Sequence, residues 1–401
     1  MGEYENKLIL EKFFSRRPKP LAETTKKKYL ADLNIYSNYQ GITLKELVDE
    51  AKEEQRTRII DNVLYECDIE DSKLSERLED FFYYEKNRGI APLTLDTRIN
   101  NIRAFYRGMG VQKLPRKINN HIETHFILLP KEKITRSLKY CNPLNKAMVT
   151  FLASTGIRIS DCANFTINNY IESLQLNDLD ELVELIFHPR LHDEMVGYWE
   201  FRPQKTKTNI CQVCNTPESN KHILSYLQGR YIKHGLDNDE QLFLTNRQSK
   251  ITNTYFAYVC QRINWKLTND ETKYWQQQTR LGMITEKERV KKMENMSKFH
   301  AHGLRKYFIS TISSMCGNLR ILLLMEGHRS IINTDNSYVR INRETIVNEY
   351  LRFIPSLSFE PTTVNVLTDK RIVEYENRLK EQQDRLDTLE EFVDRLKEFP
   401  L

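Results

Sequence analysis

At 401 residues the chain exceeds one ordinary domain, and its 40% hydrophobic content is enough to fill two or three packed cores. Lys and Arg number 60 against 55 Asp and Glu, a net charge of +5 that suits a protein holding a polyanion; residues 369–399 carry −3, so the rest carries +8. Few Gly and Pro exclude a low-complexity chain, no apolar run nears the eighteen or so residues of a membrane span, and the N-terminal stretch lacks a signal-peptide core. Seven scattered cysteines, odd in number, suit reduced thiols and a cytoplasmic location.

The first hundred residues read as helices. Thr24 to Tyr39 carries Tyr29, Leu30, Leu33 and Tyr36 along one side, with Lys26, Lys27 and Lys28 in its first turn. Thr43 and Glu46 form a capping box that opens a second helix. Ser72 to Arg88 is a third, stopped by Gly89. Thr94 caps a fourth, in which Ile99, Ile102 and Tyr106 recur at helical spacing before Gly108 and Gly110. A helical bundle over residues 1–112 is expected, with basic residues at its edges, Arg98 and Arg103 among them. Residues 113–126, with Pro115, two Asn and few apolar side chains, read as a linker with hinge-like freedom.

A second unit is expected over 127–356. It opens with helices at Lys131–Cys141 and Asn145–Ser154, the latter ended by Gly156, and TGIRISD follows. Leu182–His188, Tyr198–Arg202 and Asn209–Cys214 read as short strands. Between the last two lie Lys205 and Lys207. Cys211 and Cys214, with His222 nearby, hint at zinc, but a structural site needs four ligands and no second close pair exists. Helices are expected at Ser219–Tyr231 and Thr252–Leu267. Residues 268–296 form a highly charged insertion with no assigned structure.

If Ser297 to Ser314 is helical, His302 and Arg305 project from one face about a turn apart. An imidazole and a guanidinium aimed at one point suit a phosphate, although a lone HxxR is more often a solvated helix face. A leucine-rich run then ends in Gly327-His328, and Tyr338 stands ten residues beyond that His. A tyrosine in reach of the phosphate could attack phosphorus and form a covalent intermediate. Past Tyr338, residues 357–401 read as a tether and a heptad helix whose seam runs Ile372, Tyr375, Leu379, Gln382, Leu386, Leu389, Val393, Leu396.

The ordered set HGLR, GH and Tyr338, preceded far upstream by TGIRISD, resembles the tyrosine recombinase (phage-type integrase) catalytic domain. The resemblance implies a mainly α fold with a small β-sheet: a helical N-terminal core-binding domain, a mixed α/β catalytic domain and the C-terminal helical heptad tail. It implies catalytic roles for Arg158, His302, Arg305, His328 and Tyr338, and for a lysine that is Lys207 or, second, Lys205. Asp161 takes the acidic position of the first arginine motif. Lys26, Lys27, Lys28, Arg98, Arg103 and Lys205 become DNA contacts, mostly to phosphates. The implied activity is site-specific strand exchange on double-stranded target sites through a 3′-phosphotyrosine, in a homotetramer, with accessory DNA-bending or directionality factors as further partners. Neither nucleotide nor metal cofactor is implied, and no P-loop motif is present. A chromosome-dimer-resolving recombinase, a type IB topoisomerase and a non-cleaving DNA-binding protein are the alternatives.

Overall fold

A computed structural model describes residues 2–56, 58–60, 63–65, 67–120, 128–188, 195–206, 209–327 and 341–360. Tail residues 361–401 lie outside the described residues, and with them the heptad reading. The chain divides into two compact units, Met1–Phe126 and Ile127–Leu401.

In the first unit α1 (Gly2–Ser15), α2 (Glu23–Gln40), α3 (Leu44–Glu54), an antiparallel pair of β1 (Arg58–Ile60) and β2 (Val63–Tyr65), α4 (Lys73–Asn87) and α5 (Pro92–Gly108) follow in order. The capping box is present: Glu46 N donates to Thr43 Oγ1 while Thr43 N donates to Glu46 Oε2. The fourth expected helix starts earlier than Thr94, because Pro92, with its φ preset and no amide to satisfy, takes the first helical position. The antiparallel strand pair breaks the all-helical expectation; β-branched Ile59, Ile60 and Val63 favour the pleated form, and Ile60 pairs with Val63.

Phe13, Leu33, Tyr36, Phe81, Ile102, Phe105 and Tyr106 fill this core, and the buried Tyr36 and Tyr106 hydroxyls meet each other at 3.2 Å. Residues 111–120 are not a free tether. Val111 is buried, Gln55 Nε2 donates to Lys113 O at 2.7 Å, Arg103 Nη1 to Pro115 O at 2.7 Å, and Asn120 Nδ2 to Pro92 O at 2.8 Å.

The second unit is built around α7 (Pro143–Thr155), buried from Leu144 to Thr155 except at Lys146. It begins with α6 (Lys131–Leu138). After α7 come a single turn α8 (Ile159–Cys162), then α9 (Ile167–Leu174) and α10 (Leu179–Phe187). The strand expected at Leu182–His188 is therefore helix. Asp178 caps it by accepting the Glu181 amide, and Leu182, Leu185 and Ile186 are buried at the three-and-four spacing of one helical face.

Strands β3 (Gly197–Phe201) and β4 (Cys211–Asn215) pair antiparallel, from Gly197 opposite Asn215 to Phe201 opposite Cys211. Next come α11 (Pro217–His234), α12 (Asn253–Arg280), α13 (Glu286–Glu294), α14 (Ala301–Ser313), α15 (Leu319–Glu326), α16 (Arg343–Leu351) and α17 (Ile354–Leu357). The charged insertion is thus the distal end of α12 together with α13, whose capping box is Thr285–Glu288. Both α11 and α14 pack on α7, and α15 and α16 both flank β4. No described helix is long and apolar enough to cross a membrane.

Candidate active site

The site is built around the buried side chain of Arg305, 7% exposed on the first turns of α14. Its Nη1 donates to Gly156 O at 2.5 Å and its Nη2 to Glu326 O at 2.6 Å. One guanidinium so joins the turn that ends α7 and the last turn of α15, segments 149 and 21 residues away from it. Two of its five N–H groups are committed and three remain. Burial, then the charge of Arg158, lowers the Arg305 pKa, but a guanidinium stays charged at any ordinary pH.

Gly156 has φ +62° and is the C-cap of α7, which turns the chain so that Arg158 follows at the N-cap of α8. Arg158 is half-buried and makes no hydrogen bond or ion pair with the described residues. It lies near enough to act electrostatically on both Arg305 and His302. Nothing in the spacing of the two arginines along the chain shows this proximity.

His302 is exposed one turn before Arg305. Burial first, then Lys306, His300, Arg305 and Arg158, lowers its pKa, so the ring is neutral near pH 7. The helix starts at Ala301, four residues later than Ser297, because His300 is its N-cap. Histidine is not a usual capping residue, which hid this boundary; Lys306 and Asn264, which also border the site, carried no sequence signal.

Asp161 is buried. Its Oδ1 accepts the Gln204 amide at 2.9 Å, and its Oδ2 has no hydrogen-bond partner among the described residues. The acceptor sits under a 3₁₀ turn, Gln204–Thr206, which carries the exposed Lys205. Lys207, His328 and Tyr338 lie outside the described residues. Their flanks do not: Gly327, with φ +62°, closes α15 so tightly against β4 that an added Cβ would stand 3.2 Å from Cys211 Cβ. On the far side Arg343 lies over the Tyr198 ring at 4.9 Å and donates to Ser173 O at 3.3 Å.

Cys211 and Cys214 are buried free thiols, Cys211 pushed up to about 12 by burial, and they act as packing rather than as a zinc pair. Among the described residues one group brings metal-type ligands together, Glu218, His222 and Glu360, within 4.8 Å of one another. Lys146 Nζ, 2.7 Å from Glu360 Oε1, already supplies the positive charge there.

Two of the basic side chains expected on DNA are taken up inside the first unit. Arg98, 11% exposed on its side chain, bridges Asp32 at 3.1 Å and the buried Glu85, and a charge held between two buried carboxylates is not offered to a phosphate. Arg103 holds the Pro115 carbonyl. Lys26 pairs with Glu23 at 2.6 Å, while Lys27 and Lys28 are exposed on α2.

No family model matches the chain. The tyrosine recombinases XerC of Lacticaseibacillus casei (strain BL23) and of Lacticaseibacillus paracasei (strain ATCC 334) are each 21% identical to it over 282 residues, 66% of this chain and 78% of theirs. Over those 282 residues the chain is similar to curated tyrosine recombinases. Solved structures similar to this chain include XerA recombinase at 18% identity (TM-score 0.33, 86% of this chain and 98% of that one). The Tn1549 transposon integrase in complex with transposon right end DNA is 17% identical (TM-score 0.47, 86% and 98%). A lambda integrase dimer bound to a core site is 9% identical (TM-score 0.44, 85% and 97%).

Proposed function

We propose that this chain is a tyrosine recombinase that cleaves and rejoins duplex DNA at specific sites through a covalent 3′-phosphotyrosine, exchanging strands in a tetramer. The observation that carries the reading is Arg305, seated by two backbone carbonyls near a second guanidinium, Arg158, that has no hydrogen-bond or ion-pair partner among the described residues. Fixed cations at one point stabilise the negative charge that collects on a pentavalent phosphorane. Tyr338 is the nucleophile.

In the forward step the phenol oxygen bonds to phosphorus and the bond to the 5′ oxygen breaks. His302, neutral at working pH, takes the phenol proton, His328 donates to a phosphoryl oxygen, and Lys207 (Lys205 is the alternative) protonates the departing 5′ oxygen. The ester retains the energy of the broken linkage, so a 5′-hydroxyl from another duplex reverses the step with no nucleotide consumed. Exposed Lys27 and Lys28 serve as phosphate contacts of the first unit. The extension formed by distal α12 and α13 favours a mobile-element integrase over the compact plan of a dimer-resolving recombinase.

A pool of nicked duplexes with randomised cores tests the reading, since loss of the short strand past the nick traps the adduct. The wild type gives a protein–DNA band resistant to detergent, and Tyr338→Phe abolishes it while still retaining DNA. A band that survives in Tyr338→Phe moves the nucleophile elsewhere. Relaxation of any supercoiled plasmid without exchange of paired sites would favour a topoisomerase.

A further inference from the structure

The first turn of α14 carries His302, and two side chains outside the expected set fix that turn. His300 occupies the N-cap, where its Nδ1 accepts the Gly303 amide at 2.8 Å. Its ring lies beside Gly303 in ordinary van der Waals contact, with Cε1 3.4 Å from where a Cβ would stand. The same ring is 6.5 Å from that of His302, with the planes 20° apart. One residue earlier, Asn264 of α12 grips the Phe299 peptide by both edges: Nδ2 donates to Phe299 O at 2.7 Å and Oδ1 accepts Phe299 N at 2.8 Å. The Phe299 side chain is wholly buried, so the strand of chain entering the helix is held from below and from the side.

These contacts set the direction in which the helix leaves its N-terminus. An uncapped first turn frays, since its amides lack intrahelical partners, and His302 sits within that turn. Arg305 is fastened independently by two carbonyls, so fraying would move the imidazole relative to the guanidiniums. We propose that His300, with Asn264 behind it, is a positioning residue that holds His302 at a fixed place beside Arg158 and Arg305. The inference rests on the reading of His302 as a participant in phosphoryl transfer.

The cap requires an unprotonated Nδ1. The surroundings of His300 are consistent with that state: burial and then Lys306 lower its pKa, the His302 ring stands 6.5 Å away, and α12 brings to the flanking backbone the uncharged Asn264, at Phe299, and Cys260, at Ala301, whose thiol burial pushes up to about 12.

The test uses the full chain and the nicked randomised duplexes. Absence of any adduct with the wild type would sink the nucleophile assignment rather than this inference. Given an adduct, His300→Ala forms it more slowly by about tenfold while DNA retention is unchanged. His300→Asn, whose carboxamide caps a helix without titrating, recovers most of the rate and shows a shallower fall with acid than the wild type. Wild-type speed in His300→Ala, or an Asn variant as slow as the Ala one, overturns the proposal. Should His300→Ala fail to fold, His300→Gln replaces it, being a poor cap of similar polarity; equal rates for Gln and Asn then overturn it.

Discussion

Phe308 closes over Gly156. A Cβ placed on that glycine would stand 2.2 Å from Phe308 Cδ1, and the residue itself holds φ +62°. Its carbonyl meanwhile receives Arg305. One position must therefore be left-handed, bare of a side chain, and aimed.

Gly156→Ala is expected to cost about 2–4 kcal/mol, roughly 1 from the left-handed conformation and the rest from overpacking against a fully buried ring. Urea unfolding of the two proteins measures it. A loss below about 0.5 kcal/mol would mean that Phe308 swings aside without consequence.

Arg305→Lys keeps the charge but not the fork. An ammonium cannot span the Gly156 and Glu326 carbonyls and still reach a phosphate, and a buried carbonyl left without its donor costs about 1–3 kcal/mol. Adduct formation on the nicked duplexes is expected to fall by about a hundredfold or more, the scale of losing one preorganised donor. A lysine variant within tenfold of the wild type would refute a two-point seat for this side chain.

How much of this was legible depended on the range of the interactions. The Thr43 capping box, the stop at Gly156 and the HGLR helix are local patterns, and each formed. Helix α10 was misread because LVELIF looks strand-like; the Asp178 cap and the spacing of Leu182, Leu185 and Ile186 were the better signals. Arg98 passed for a surface cation because its partners, Asp32 and Glu85, are 66 and 13 residues away. The approach of Arg158 to Arg305 is a property of how α14 packs on α7, which no spacing along the chain encodes.

The pH profile of cleavage follows from His302. Burial and four neighbouring basic groups lower its pKa from the ordinary 6.5. The neutral form is the proton acceptor, so single-turnover adduct formation is steady above that value and declines only as pH falls through the lowered one. Lys306 is the largest charge cause, and Lys306→Met should move the acid limb upward toward 6.5. An acid limb that stays in place, or moves down, would separate it from His302.

Where the described chain ends, Glu218 accepts the amides of Phe359 at 2.6 Å and Glu360 at 3.1 Å. Burial nevertheless pushes its carboxyl up to about 7, from an ordinary 4.5. A raised folded pKa means that the fold keeps a proton that the unfolded chain has already released, so this group's contribution to stability falls as pH rises from about 4.5 to about 7 and is level beyond. The slope is at most about 1.4 kcal/mol per pH unit. His222, pushed down to about 4 chiefly by burial, slopes the other way, so a single stability curve would blur the two. The difference between wild type and Glu218→Gln isolates the first, because the histidine is common to both. That difference should turn against the wild type by about 1–3 kcal/mol between pH 5 and pH 8, read from urea unfolding at each pH. Parallel curves would show that the two amide bonds hold Glu218 ionised throughout, with burial the weaker influence.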